Sequence, residues 1–469
     1  MTASDLPRRI PLIVAGAFFM QVLDSTIIST SLPQMADAFG VRALDLSFGI
    51  TIYMLAVAAC IPASGWLADR YGSRNVFAAA IVVFSLASLA CGLADSLPTF
   101  IAARAVQGVG GALMTPVGRL VVLRNTPKAG LLQATALLTW PALIAPVLGP
   151  VLGGFITTYA SWRWNFLINL PIGLAGLLLA LRFIPNLHGE APRRFDGRGF
   201  LLSAGAMVLL LHGLESIGHA GADLGLSAAF CVAGSVLGVA ALRHFRRAAE
   251  PLLDLSPFTA PTFALTTLSG GFFCRMVISA TPFLLPLLFQ IGFGLSSWEA
   301  GLMIVAYFAG NLGMKTVTTP LLRRFGFRRV LVANGMLGAL AIAACGLLRP
   351  DTPAWAVAAL LAVAGLTRSM QLTALSTLTF ADTEPQQRSS ASTLSSMLQQ
   401  VAMIVGVAAG ALLVKLSQAA HGLEQPVLAD FRNVFAAIGL IGFVAALRFL
   451  RLAPDAGAEV SGRPARHAA

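Results

Sequence analysis

The chain has 469 residues, 57% of them hydrophobic and 11% charged, with a mean hydropathy of +0.80. That balance excludes a soluble globular or nucleic-acid-binding protein and implies a chain embedded in a bilayer almost end to end. The net charge of +12 then reads as topology rather than as an acidic partner, because Lys and Arg collect on the cytoplasmic side of membrane proteins.

Runs of about 20 apolar residues, the length a helix needs to cross a ~30 Å hydrocarbon layer, predict fourteen spans. Their cores lie near residues 11–32, 46–67, 75–94, 98–118, 131–156, 163–183, 199–214, 224–242, 262–289, 298–320, 330–348, 354–380, 392–416 and 432–450. The first begins like a signal peptide but is too long and lacks an A-x-A site, so it is expected to stay uncleaved. Most of the 32 Lys and Arg fall on the side of the N-terminus, against Arg42, Arg163, Arg349, Lys415 and Arg432 on the other. The expected fold is therefore an all-α, multi-pass membrane protein with both termini cytoplasmic.

Between the second and third spans, Gly65 to Val76 reads GWLADRYGSRNV, a charged turn punctuated by glycine. Gly65 permits close helix approach, Asp69 can accept from amides or an arginine, Gly72 turns the chain, and Arg70 and Arg74 hold the cytoplasmic side. The turn recurs 254 positions later as TPLLRRFGFRRV, Thr319 to Val330, with Arg323 in place of Asp69. A repeat of that length in a membrane chain is the mark of a two-halved transporter. Residues 1–187 and 255–452 are then two six-helix bundles, 188–254 holds linkers and an inserted helix pair, and 453–469 is a disordered tail.

Asp24 lies inside the first span, where a carboxylate costs about 2.5–3.5 kcal/mol on insertion scales and so needs a cavity or a partner. Helical rise puts Arg104 of the fourth span about 9 Å, and Asp24 about 12 Å, from the outer face, so the two can meet. In the fifth span Gly149, Pro150, Gly153 and Gly154 make a bendable, closely packing helix. The second half is less expected: Arg275, Lys315 and Arg368 lie within spans, accompanied by Asn311 and Gln371. They predict either a positive cavity for an anionic substrate or guanidinium groups bonded to backbone carbonyls and a snorkelling lysine. The five cysteines sit in apolar runs and the six histidines lack ligand spacing, so no disulfide, metal or cofactor is expected.

The motif G-x-L-A-D-R-x-G-x-R resembles the loop between helices two and three of the major facilitator superfamily, with Ser73 where the family usually has a basic residue. Together with Asp24, Arg104 and the fifth-span glycines, it is similar to the fourteen-helix drug:proton antiporter family of the EmrB/QacA type, and within it to the MdtD-like subgroup. The resemblance implies a major facilitator fold, no enzyme activity, and proton-coupled export of small organic molecules by alternating access. Asp24 and Arg104 are implied for proton coupling, and Gly149, Pro150, Gly153 and Gly154 for the exporter signature. The alternative keeps the mechanism but exports an organic anion or a metal–carboxylate chelate. A membrane receptor or enzyme is a remote third reading, since no catalytic triad, phosphate loop or metal cluster is visible. The partners implied are substrate, protons and the bilayer, with no nucleic acid; the chain works with a periplasmic adaptor or otherwise as a monomer.

Overall fold

Hydrocarbon cannot hydrogen-bond a backbone, so a crossing segment must satisfy its own N–H and C=O groups as a helix. The computed structural model describes residues 6–28, 31–41, 46–189, 194–218, 223–422 and 426–461, and they are helical throughout apart from connecting turns. Among the described residues twelve helices are long and apolar enough to cross a membrane, or thirteen if a pair bent by 48° between Gly313 and Lys315 is one span. A further 29-residue helix, Leu131–Tyr159, coincides with the fifth predicted span.

The first bundle comprises α1 (Leu6–Ile27), α2 (Ser47–Cys60), α3 (Ser64–Tyr71), α4 (Ser73–Leu93), α5 (Leu97–Asn125), α6 (Leu131–Tyr159) and α7 (Asn169–Phe183). Two helices, α8 (Gly197–Gly218) and α9 (Leu224–Arg247), follow. The second bundle comprises α10 (Gly270–Leu287), α11 (Ser297–Gly313), α12 (Lys315–Phe325), α13 (Phe327–Cys345), α14 (Ala354–Leu378), α15 (Arg388–Ala420) and α16 (Leu428–Leu447). Packing repeats with the sequence. The pairs α1 with α6, α2 with α5 and α4 with α7 have counterparts in α10 with α15, α11 with α14 and α13 with α16. The helices α8 and α9 pack on each other, and α8 also rests on α2 and α15. Only 17% of the α9 apolar window is buried, as expected of a peripheral helix facing lipid.

Two elements depart from the sequence reading. The ninth span is broken: a short helix, Pro261–Thr267, ends before α10 begins at Gly270. A Cβ on Gly271 would lie 1.7 Å from the Thr266 carbonyl oxygen, so only glycine fits where the short helix meets α10. Of the tail expected to be disordered from residue 453, residues 453–461 are folded, and the rest lies outside the described residues. Its short helix α17 (Ala458–Ser461) buries Val460 completely in an apolar cluster that takes Leu131 and Leu132 from the first half and Phe327 and Leu378 from the second. Lys128 Nζ lies 3.2 Å from Glu459 beside it. One buried valine and one ion pair thus tie this piece of tail down, which its polar composition conceals.

Candidate functional site

Asp24 is fully buried, and α5 and α7 supply its partners. Arg104 Nη1 donates to Oδ2 at 2.7 Å, while Gln107 Nε2 and Asn169 Nδ2 each donate to Oδ1 at 2.9 Å. Arg104 is itself 1% exposed; it donates to Gln107 Oε1 at 2.5 Å and from Nε to the Gly49 carbonyl at 3.3 Å. Its guanidinium lies 4.3 Å from the centre of the Tyr53 ring on α2. From α4, Ser88 accepts from Asn169 at 2.9 Å and donates to the Phe166 carbonyl. The expected meeting of Asp24 and Arg104 is therefore the centre of a network tying α1, α2, α4, α5 and α7.

Gln107, Asn169, Tyr53 and Ser88 were missed from sequence. Only Gln107 carried a usable signal: three residues after Arg104, it shares that helix face. A buried pair of this kind stabilises little net of desolvation, but removing one member leaves an uncompensated charge. The arrangement is therefore one in which the carboxylate needs either the guanidinium or a proton.

The repeated turn sits where the two halves meet. A Cβ on Gly65 would lie 2.8 Å from Ser389 Oγ and Thr393 Oγ1 at the start of α15. Ser64 and Thr393 hydroxyls are 3.1 Å apart, Ser392 Oγ donates to the Pro116 carbonyl at 2.7 Å, and Arg388 donates to the Leu123 carbonyl at 2.9 Å. Asp69 accepts from Arg124 Nη2 at 2.5 Å, and Arg124 Nη1 reaches the Leu187 carbonyl at 2.9 Å. Gly72 has φ +86°, and its second-half counterpart Gly326 has φ +78°, the left-handed region that favours glycine. Arg74 Nε donates to Asn75 at 3.3 Å, and Arg70 is exposed. The structure is thus closed on the face that carries the turns.

In α6, a Cβ on Gly149 would lie 2.2 Å from Thr26 Oγ1, two residues beyond Asp24 on α1. The Gly153 carbonyl accepts from Asn165 at 3.5 Å, whereas Gly154 has nothing within 4 Å of a would-be Cβ. The side chain of Pro150 lies outside the described residues.

The structure does not gather the second-half cations into one cavity. Arg275, 6% exposed, gives Nη1 to the Thr266 carbonyl freed by the break before α10, and its Nη2 is buried with no hydrogen-bond partner among the described residues. Lys315, at the bend between α11 and α12, donates to Thr373 at 2.6 Å. Arg368 donates to the Tyr307 hydroxyl at 3.1 Å and shares a cavity inside the second bundle with Gln371, whose amide nitrogen donates to the Leu331 carbonyl. Asn311 is buried with neither amide atom bonded among the described residues. A further arginine, Arg119 of α5, reaches across to Ser395 at 3.5 Å and Gln399 at 3.3 Å on α15.

Two repeated helical bundles, a buried acid–guanidinium network and a charged turn clamping the halves together define a multi-pass membrane transporter rather than an enzyme. A family model described as the Major Facilitator Superfamily matches residues 14–268 and again 267–469. The chain belongs to the major facilitator superfamily, in its MdtD-like group. It is 40% identical over 416 residues, 88% of each chain, to the "Putative multidrug resistance protein MdtD" of Salmonella paratyphi A (strain ATCC 9150 / SARB42). It is 39% identical over 450 residues to the protein of the same name from Serratia proteamaculans (strain 568), covering 94% of this chain and 93% of the relative. Among solved structures it is similar in fold to the human organic anion transporter MFSD10, with a TM-score of 0.67 at 14% identity, covering 94% of this chain and 99% of that one. The proton:xylose symporter XylE gives a TM-score of 0.66 at 15% identity, covering 95% of both chains.

Proposed function

We propose that the chain is a proton-coupled exporter of small organic molecules, of the multidrug-efflux type, working by alternating access. The observation that carries the coupling is the set of three donors on fully buried Asp24. In the closed network Arg104 neutralises the acid; when α1 shifts away from α5 within the first bundle during the transport cycle, a proton takes its place. The names of the relatives support the drug-efflux reading. Fourteen spans, cytoplasmic termini, a bacterial inner-membrane location and the division at residues 188 and 255 belong to the same proposal. So does a monomer, alone or with a periplasmic adaptor. Asp69 and the turn would lock the closed state, and the Gly149 contact would set how α1 and α6 slide.

A second reading, export of an organic anion or a metal–carboxylate chelate, rests on one observation. Among the described residues Arg119 and Arg275 have no carboxylate within 4.0 Å, and Arg275 Nη2 is buried unbonded. A carboxylate of the substrate would supply the missing acceptor. Purified protein in proteoliposomes tests both. Transport should follow an imposed pH gradient and vanish in Asp24→Asn with expression intact; gradient-driven transport by that variant would refute the coupling. A panel of lipophilic cations and organic anions, repeated with Arg275→Ala, decides the sign of the substrate.

A further inference from the structure

The acid–guanidinium network of the first bundle has a counterpart in the second from which the acid is missing. GAFFMQVLDS, Gly16 to Ser25, repeats as GGFFCRMVIS, Gly270 to Ser279, and the offset of 254 that aligns the turns places Ile278 against Asp24. The same offset places Tyr307 against Tyr53 and Cys345 against Cys91. On α5 and α14 the spacing R-x-x-Q recurs, Arg104 with Gln107 and Arg368 with Gln371. The repeat holds in three dimensions. Arg104 lies over the Tyr53 ring at 4.3 Å, and Arg368 over the Tyr307 ring at 5.5 Å.

Where the carboxylate would stand there is a cavity of about 30 Å³, lined by Ile278, Tyr307, Arg368, Gln371 and Cys274 among others. Arg368 Nε is buried with no hydrogen-bond partner, and no carboxylate lies within 4.0 Å of the guanidinium, among the described residues. The Tyr307 hydroxyl accepts from Arg368 and keeps its own proton to donate. Arg368 is partly buried, and a positive charge held away from water without a counter-charge is costly. The space exceeds the roughly 10–15 Å³ that one water needs. It falls far short of the roughly 300–1,000 Å³ of a drug-sized site, so it is not where the exported molecule sits.

We propose that this cavity binds a compact monovalent anion of halide or nitrate size, held by Arg368 and Tyr307, in the place that Asp24 occupies in the first half. The second bundle would then carry a fixed counter-ion where the first carries a titratable one. The inference holds whichever substrate is exported, and its test does not use transport.

The purified full-length protein in nanodiscs is titrated with chloride, bromide or nitrate replacing gluconate at constant ionic strength, and its thermal unfolding is followed. The wild type should gain about 2–4 °C in Tm, saturably, with acetate and gluconate less effective than the small anions. Arg368→Gln should lose the effect, and Arg368→Lys should keep part of it. Ile278→Asp should lose it as well, while melting in gluconate no lower than the wild type does in chloride, because it supplies its own carboxylate. A wild-type Tm indifferent to the anion would overturn the proposal, as would a saturable effect undiminished in both Arg368→Gln and Ile278→Asp.

Discussion

Breaking the buried pair from one side or from both should have unequal consequences. Arg104→Gln removes the one positive charge on Asp24 and its 2.7 Å bond to Oδ2, while Gln107 and Asn169 remain on Oδ1. The carboxylate is left at 0% exposure with one oxygen unpaired, a situation that costs about 3–5 kcal/mol where it has been measured. Asp24→Asn leaves Arg104 its bonds to Gln107 and Gly49 and its place over Tyr53, so it should cost less, about 1–3 kcal/mol. In the double variant Asp24→Asn, Arg104→Gln no charge remains, and the two amides can bond each other. The double-mutant cycle should therefore show a favourable coupling of about 2 kcal/mol or more, read as the difference in thermal or denaturant unfolding of purified protein. All three variants should be inactive in gradient-driven transport, so stability and activity part company in the double variant. Additive losses would mean that the pair does not hold the bundle as the geometry implies.

Gly149→Ala should destabilise by about 1–3 kcal/mol through overpacking, because its Cβ would sit 2.2 Å from Thr26 Oγ1; adding Thr26→Ala should recover part, measured as Tm. Asp69→Ala removes the 2.5 Å pair with Arg124 on the closed face, so the maximal export rate in proteoliposomes should fall several-fold with little change in KM. An equal loss of substrate binding would instead indicate a damaged fold. Asp196 joins the two linkers that flank α8 and α9. Burial disfavours its charged form, but bonds from the Gly199 N–H, His244 and the Leu252 N–H outweigh this and hold the carboxyl below the usual aspartate range. A folded-state value below the unfolded one adds stability above about pH 4, which is lost as pH falls through the folded value. Asp196→Asn should thus lower Tm at neutral pH and flatten its decline on acidification, and an unchanged acid limb would refute the assignment.

How much was legible in one dimension follows from which constraints are local. Bilayer thickness sets a helix length, so the spans, the inserted pair and the two-halved repeat can be read from runs of apolar residues and one recurring turn. A charge inside such a run stands out wherever its partner is, which is why Asp24 and Arg104 were identifiable, and depth along two helices was enough to pair them. What the chain order could not show is the direction each side chain takes around its helix and which helix it then meets. Asn169 lies 145 positions from Asp24, and only the packing of α7 against α1 brings it there. Arg275 and Arg368 both stand inside apolar runs, but the Thr266 carbonyl at the break before α10 takes Arg275 Nη1, while Arg368 meets Tyr307. Ile278 reads as one more apolar residue in an apolar helix. The repeat sets it against Asp24, but only the tertiary structure shows the cavity beside it and the lack of a counter-charge on Arg368 among the described residues, which are properties of neighbours in space, not in sequence.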